Sequence, residues 1–408
     1  MIPDWKGALV LTALVVTSGA IGAQGSPSEL RYAPDLTIDL AKAGVKSPGP
    51  LFVNRRGHMI VVNQFPGEVV RFDSLAGKRV WPISVHRRGG DVGQISGSGW
   101  VGDSMWVADD VIDQLAVIDS TGTLVESIER FNWIRPAWGD RRKYPLFAAM
   151  EWLALYPDGS QLVRPSKPRA LFDSPQYDRS RLHLLRVDHE GRILRTVAKI
   201  PSTEPRMLLR DAMEREVVPI PFFAKPAWTV SADGQRIVVV QPLLTASDSG
   251  AFVVTSLNAA GDTVFSRRFT VTTTRVPADE VEKVLVGLKS FGRYSAGWIR
   301  DTLRKQIPVF RSRISNVTVG IDHSVWVHLH SDVPEHSYFV IDPHGNAAGT
   351  VGFPSPWRVA ALSLDRIWTL QRVGTGRTFR PVNIVRLKRE ETTAARLARS
   401  ASAGASRR

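Results

Sequence analysis

The chain has 408 residues, 43% hydrophobic and 23% charged, proportions of a globular protein long enough to bury a sizeable core. Lys and Arg number 53 against 39 Asp and Glu, a net charge of +14 that favours acidic partners. There is no cysteine, which excludes disulfides, thiolate metal sites, cysteine nucleophiles and a lipid anchor on an N-terminal cysteine.

Taken in chain order, the first element is a targeting segment. Lys6 precedes the apolar run Gly7–Val16, and the small residues Ser18–Ala23 follow. This pattern predicts a signal peptide over 1–23, cleaved near Gly22 or Ala23, with an uncleaved anchor as the alternative. No later stretch is apolar enough to cross a bilayer. The expected location is periplasmic or extracellular.

Leu36–Leu40 then alternates in polarity, as a half-buried strand does. Six copies of one unit follow. Each has a strand and tight turn, a second strand, a variable loop, and a third strand closed by Asp or Asn and a Gly turn. The first runs Leu51–Gly57, Met59–Asn63, Val69–Asp73 and Gly77. The second has Gly102-Asp103, Met105–Asp109, Leu115–Asp119 and Gly122. The third turns at Tyr156-Pro157-Asp158-Gly159 and the fourth at Ser231-Ala232-Asp233-Gly234. The fifth turns at Gly320-Ile321-Asp322-His323 and the sixth at Leu364-Asp365-Arg366. Short Val, Ile, Phe and Trp runs between Asp-Gly turns are strands, and six radial sheets make an all-β, six-bladed propeller. The sixth copy lacks its fourth strand, so Leu36–Leu40 is expected to pair into the last blade and close the ring, removing the open edges.

The wording of Gly57–Asn63, Val69–Asp73 and Gly77, and of Asp103–Asp109, Val117–Asp119 and Gly122, resembles the NHL repeat. More broadly the chain resembles the TolB-like six-bladed propellers, over most of residues 36–388. The resemblance implies a fold and is almost silent on function. One propeller over 24–388 is expected, then a disordered basic tail over 389–408. Within it, Thr392–Arg408 holds four arginines and no acid.

Long segments interrupt the repeats at Arg130–Ala149, Pro165–Arg181, Pro201–Pro226 and Thr272–Arg311. Strand alternation places all four at one face, where function usually sits. Two read as helical insertions, about 204–217 and about 278–306. In the second, Val281, Val284, Leu285 and Leu288 form an apolar stripe behind Asp279 and Glu280. They either pack onto the blade ends or form a lid over the channel.

Two groups of side chains are candidate ligand-binding residues. Trp138 with Arg141, Arg142 and Lys143 mixes cations and an aromatic ring, a pairing that suits anions and sugars. Asn63, Asp109, Arg164, Gln241, His328 and Gln371 end inner strands, and if they line the axis they form a polar funnel. His328 and His330 alternate on a strand and can share a metal only with a third ligand.

No nucleophile elbow or phosphate-binding loop occurs. Ser96-Gly97-Ser98-Gly99 lacks the outer glycine and reads as a turn. Calcium-dependent lactonases share the architecture, and Asn63, Asp109 and Asp110 offer oxygens that calcium prefers. Their motifs are absent, so no catalytic role is carried over, and no cofactor beyond that calcium ion is expected. The leading expectation is a monomeric, non-catalytic exported scaffold. It would bind a partner protein or an anionic polysaccharide, not nucleic acid, through the insertion-bearing face. A calcium-dependent hydrolase and a structural envelope component are the alternatives.

Overall fold

The computed structural model describes residues 28–46, 48–63, 68–73, 77–81, 95–109, 114–129, 150–165, 181–201, 206–211, 214–222, 225–243, 250–273, 275–330, 335–354, 357–373 and 380–390. The expected signal peptide, the segments 130–149 and 166–180 and all of the expected 389–408 tail beyond 390 lie outside the described residues; the start of that tail is corrected, because Arg389 is the last residue of a strand and pairs with Tyr32.

Strand β1 (Tyr32–Asp39) stands apart from its neighbours in sequence. Blade 1 follows as β2 (Pro48–Val53), β3 (Met59–Asn63), β4 (Glu68–Phe72) and β5 (Lys78–Trp81). Blade 2 is β6 (Ile95–Val101), β7 (Ser104–Asp109), β8 (Gln114–Ile118) and β9 (Leu124–Glu129). Blade 3 is β10 (Met150–Leu155), β11 (Gln161–Pro165), β12 (Arg181–Val187) and β13 (Ile193–Pro201). A hairpin of β14 (Arg206–Asp211) and β15 (Glu214–Pro219) intervenes before blade 4. That blade is β16 (Ala227–Val230), β17 (Arg236–Pro242), β18 (Ala251–Asn258) and β19 (Thr263–Thr270). Helices α1 (Ala278–Val286) and α2 (Ala296–Arg304) precede blade 5. It comprises β20 (Ile314–Val319), β21 (Val325–Leu329), β22 (Glu335–Ile341) and β23 (Ala347–Pro354). Blade 6 adds β24 (Trp357–Leu362), β25 (Arg366–Val373) and β26 (Arg380–Arg389). Its fourth strand is β1, antiparallel to β26 with Ala33 opposite Lys388 and Ile38 opposite Ile384. Among the described residues the ring therefore holds six four-stranded sheets, an all-β propeller, and β14–β15 adds a separate two-stranded sheet.

The core is divided into six layers, one between each pair of neighbouring blades. Ile60, Met105 and Trp100 join blades 1 and 2, and Trp106 and Leu185 join blades 2 and 3. Leu162 and Ile237 join blades 3 and 4, and Phe252 and Phe339 join blades 4 and 5. Trp326 and Ile367 join blades 5 and 6, while Met59, Phe72 and Trp368 join blade 6 back to blade 1. A blade covered on both faces needs apolar residues on both, so β3 is buried at every residue and shows no alternation.

The chain start straps the last joint. Leu30 N donates to Thr350 O at 2.7 Å in blade 5, and the Tyr32 hydroxyl donates to Leu364 O at 2.9 Å. The Arg386 guanidinium meets Asp35 with two bonds of 2.9 Å, and both side chains are mostly covered. The repeated Asp/Asn…Gly signature is a capped turn. Asp342 Oδ1 accepts from His344 N at 2.9 Å and Asn346 N at 2.8 Å, and Gly345 turns the chain at φ 87°. Asp119, Asp188 and Asn258 repeat those two bonds.

Two further expectations need correction. The segment 204–217 is expected to be helical, but its described residues, 206–211 and 214–217, lie instead in the β14–β15 hairpin, with Met207 opposite Val218. Met207 and Leu209 are two apart, and that spacing puts both into an apolar cluster with Leu285, Ile299 and Leu303 of the helices. Burial of a period-2 pair prevails over the helix-forming composition of the segment. Ser96–Gly99 lies in β6, not in a turn. A Cβ on Gly99 would collide with Ala232 O, which accepts from Trp100 N at 2.7 Å. The second helical insertion is present as α1 and α2, with Leu285 buried but Val284 42% exposed. The Ser295 side chain caps α2 by accepting from Trp298 N at 3.2 Å.

Candidate functional site

The six strand-end residues fall on the second strand of each blade, one removed from the axis. Asn63 is buried at 1% exposure, while Gln241 is exposed. Arg164 pairs with Glu151 of β10 and lies 5.4 Å from the Trp228 ring centre. His328 Nδ1 sits 2.8 Å from Ser315 Oγ, and its ring packs on Tyr338 with centres 5.0 Å apart. Gln371 Oε1 accepts from Asn383 Nδ2 at 2.9 Å. Trp138, Arg141, Arg142, Lys143 and Asp110 lie outside the described residues, as does the side chain of Asp109. The calcium expectation rests on two of these. Among the described residues, no three His, Asp or Glu cluster as a metal site.

At the tight-turn end a constellation converges that the repeat pattern did not single out. In the first turn of blades 1, 3 and 4, glycine occupies the fourth position with positive φ: Gly57 (77°), Gly159 (76°) and Gly234 (69°). Each donates its N–H to the first turn residue. Blade 5 makes the same bond, His323 N to Gly320 O at 2.9 Å, but with a histidine at φ 67°. The left-handed conformation is uncommon outside glycine, though His tolerates it better than most.

That conformation brings the imidazole to blade 4. His323 Nε2 lies 3.0 Å from Asp233 Oδ2 and 2.8 Å from Arg55 Nη2 of blade 1, and Arg55 Nη2 itself pairs with Asp233 Oδ2. A proton on Nε2 is donated to the carboxylate. Without it, the nitrogen accepts from the guanidinium. Asp233 Oδ1 is fully engaged with its own turn, accepting from Ser231 Oγ at 2.6 Å and Gln235 N at 3.0 Å. Burial alone raises the Asp233 pKa, but the bonds from His323, Ser231 and Gln235 outweigh it and hold the carboxyl far below its usual range. Tyr156, pushed up to about 12 by burial, donates its hydroxyl to Gly234 O at 3.2 Å and steadies the same turn.

Arg55 stands between two spaces. One is an axial pocket of about 250 Å³ walled by Val53, Trp100, Leu155, Asp233 and Val319, from five blades. The other is a cleft of about 820 Å³ bounded by blades 1, 5 and 6. The only sequence signal for this site was a histidine where sister turns have glycine.

Around the insertions, α2 begins with an exposed ledge. Trp298, 47% exposed, stacks on Tyr294 with centres 4.9 Å apart, and the Arg293 guanidinium lies 5.2 Å from the Tyr294 ring centre. Beyond α2, Lys305, Ile307, Phe310 and Arg313 line a groove of about 270 Å³ against β17 and β18.

No family model matches the sequence, and no curated protein matches it. Solved structures do. One is a member of the DUF4221 family from Bacteroides vulgatus, 12% identical, covering 90% of this chain and 99% of its own, with a TM-score of 0.46. Another is virginiamycin B lyase from Staphylococcus aureus, 9% identical over 88% of this chain and 99% of the lyase, with a TM-score of 0.39. A third, described as an exported protein of Bacteroides fragilis, is 11% identical over 89% and 95%, with a TM-score of 0.40. Among the described residues no helix is long and apolar enough to cross a membrane. By its own strand order and closure, the chain is a six-bladed β-propeller.

Proposed function

We propose that the protein is an exported, non-catalytic binding scaffold that takes an anionic glycan through its insertion-bearing face. The observation that carries this reading is the exposed Trp298 ring against the half-buried Tyr294 with Arg293 beside it, continued past α2 by the groove that Lys305 and Arg313 line. Flat aromatic faces suit sugar rings, and guanidinium and ammonium groups suit their carboxylates or sulfates. The ledge rests on a packed base. Chain from two separate crossings, β14–β15 and α1–α2, is packed into one apolar cluster. The Arg141, Arg142 and Lys143 run lies outside the described residues; strand alternation in the sequence leads us to expect it at the same face, where it would add charge.

The test is binding of full-length chain to immobilised polygalacturonate, with dextran as the neutral control. Trp298→Ala is expected to weaken retention about tenfold, roughly 1.4 kcal/mol. The triple R141E/R142E/K143E should weaken it further and flatten its salt dependence. Equal retention on dextran, or wild-type retention by W298A, contradicts the reading. Capture of a protein by the same face, lost in W298A, would replace the glycan with a protein partner.

A further inference from the structure

We infer that the cleft at the opposite, tight-turn end is a second binding site, built for a small polyanion carrying two or more carboxylate or phosphate groups. It does not depend on the glycan reading, since it uses other residues at the other end of the ring.

Four observations carry the inference. First, Arg55 is held by one nitrogen only: Nη2 is committed to Asp233 and His323, while Nε and Nη1 have no partner among the described residues. An anchored guanidinium with free donors is a preorganised fork for an oxyanion. Second, Arg366, Lys388 and Arg389 line the same cleft, and their side chains have no hydrogen bond or ion pair among the described residues. Third, the acids of the lining do not cancel them. Asp322 is spent on its own surroundings, Oδ1 accepting from Ser324 Oγ at 2.6 Å and Oδ2 from Leu364 N at 2.7 Å, which leaves Asp365 and Glu390. Fourth, the cleft wall includes Trp368, a residue 1% exposed whose indole Nε1 has no acceptor among the described residues. In blade 5 the matching indole donates to Ser324 Oγ at 2.8 Å, two residues back, whereas blade 6 has Arg366 at that place. The wall thus holds an unmet donor among unmet cations.

The space suits a ligand larger than a lone phosphate ion: about 820 Å³ is within the range of small-molecule sites. His323 is a positioning residue. Its strained turn holds the imidazole where it fixes Arg55, and it lines the cleft itself.

The experiment is calorimetric titration of the full chain with citrate and, separately, with pyrophosphate, at two concentrations of sodium chloride. Saturable binding by either probe is expected, weakening as salt rises. The stronger of the two identifies carboxylate or phosphate as the preferred group. R366Q/R389Q is expected to weaken binding at least tenfold with an unchanged melting temperature. H323G, which restores the turn glycine, should weaken it severalfold without lowering the melting temperature. R267Q, which removes an exposed cation of blade 4, controls for general charge and should bind as wild type does. No saturation by either probe at millimolar concentration overturns the inference. So does an equal loss in R267Q and R366Q/R389Q, which would mean attraction to net charge alone.

Discussion

His323 occupies a position that blades 1, 3 and 4 give to glycine, and its backbone stays left-handed. Restoring the glycine removes strain and an imidazole together, so H323G is expected to leave folding stability within about 1 kcal/mol of wild type. H323A keeps the steric conflict of a Cβ without the contacts and should be less stable than H323G by about 1 kcal/mol. Urea denaturation of both variants checks this, and equal stability of the two would contradict the assigned backbone strain. Asp233 is the opposite case. D233A removes the cap of its own turn and the counter-charge of Arg55, with an expected loss of about 2–3 kcal/mol.

Acid dependence follows from the same residue type. Asp233 and the turn carboxylates Asp119, Asp158, Asp188 and Asp342 all have folded pKa values below their usual one. A depressed carboxyl stabilises the fold above its unfolded value of about 3.9 and loses that contribution as pH falls through the folded value. Stability should therefore drop steeply below about pH 4, in proportion to several protons. His58 adds a shallower slope at higher pH. Burial, then Arg71, lowers its pKa, so the unfolded chain binds its proton first and acidification through about pH 6.5 is mildly destabilising. A urea midpoint that stays flat from pH 7 to pH 3 would contradict both assignments.

At the scale of elements, the sequence showed the strands and turns well because each carries its own chemistry. Asp or Asn with a glycine three residues on is a self-capping turn, and runs such as Met59–Asn63 are apolar because both blade faces are covered. The β14–β15 hairpin was not legible. The sequence from Asp211 to Glu214 has neither glycine nor proline to signal a turn, and the partner of Met207 and Leu209 is a helix pair that begins about 70 residues later. Composition favoured a helix, and only tertiary burial decides otherwise. The site at the tight-turn end was invisible for a related reason: Arg55, Asp233 and His323 are ordinary turn residues until the ring brings three blades together. The shared cluster gives a prediction. Leu303 is fully buried in it, and L303A is expected to cost about 2–4 kcal/mol, confined to the insertions. Hydrogen exchange should quicken in β14, β15, α1 and α2 and stay slow in β17 and β21. Uniform loss of protection in every blade would show that the insertions are integral to the ring.

For the whole molecule, closure is the property from which the sites derive. Six apolar layers between six blades exist only if blade 6 meets blade 1, and Met59, Phe72 and Trp368 form that joint. Leu36–Leu40 was legible as the closing strand because the sixth repeat lacks a fourth strand. The added strap from Leu30 to Thr350 in blade 5 was not, since its hydrogen bonds are between backbone groups and one buried leucine, Leu30, carries no pattern of its own. Arg55 comes from the first blade, and Arg366, Lys388 and Arg389 from the last. Any error in closure would therefore dissolve the cleft as well as the fold.

The absence of cysteine makes that closure directly measurable. Ala33 of β1 lies opposite Lys388 of β26, within the Cα separation a disulfide spans in antiparallel pairs. The double variant A33C/K388C, folded and then oxidised, is measured for free thiols and for its melting temperature against its reduced form. Closure in this register predicts complete loss of free thiols within monomers and a higher melting temperature, since the bond ties chain ends together across the whole ring. Thiols that stay free in the folded protein, or ready cross-linking of the register-shifted pair A33C/R386C in their place, would contradict it.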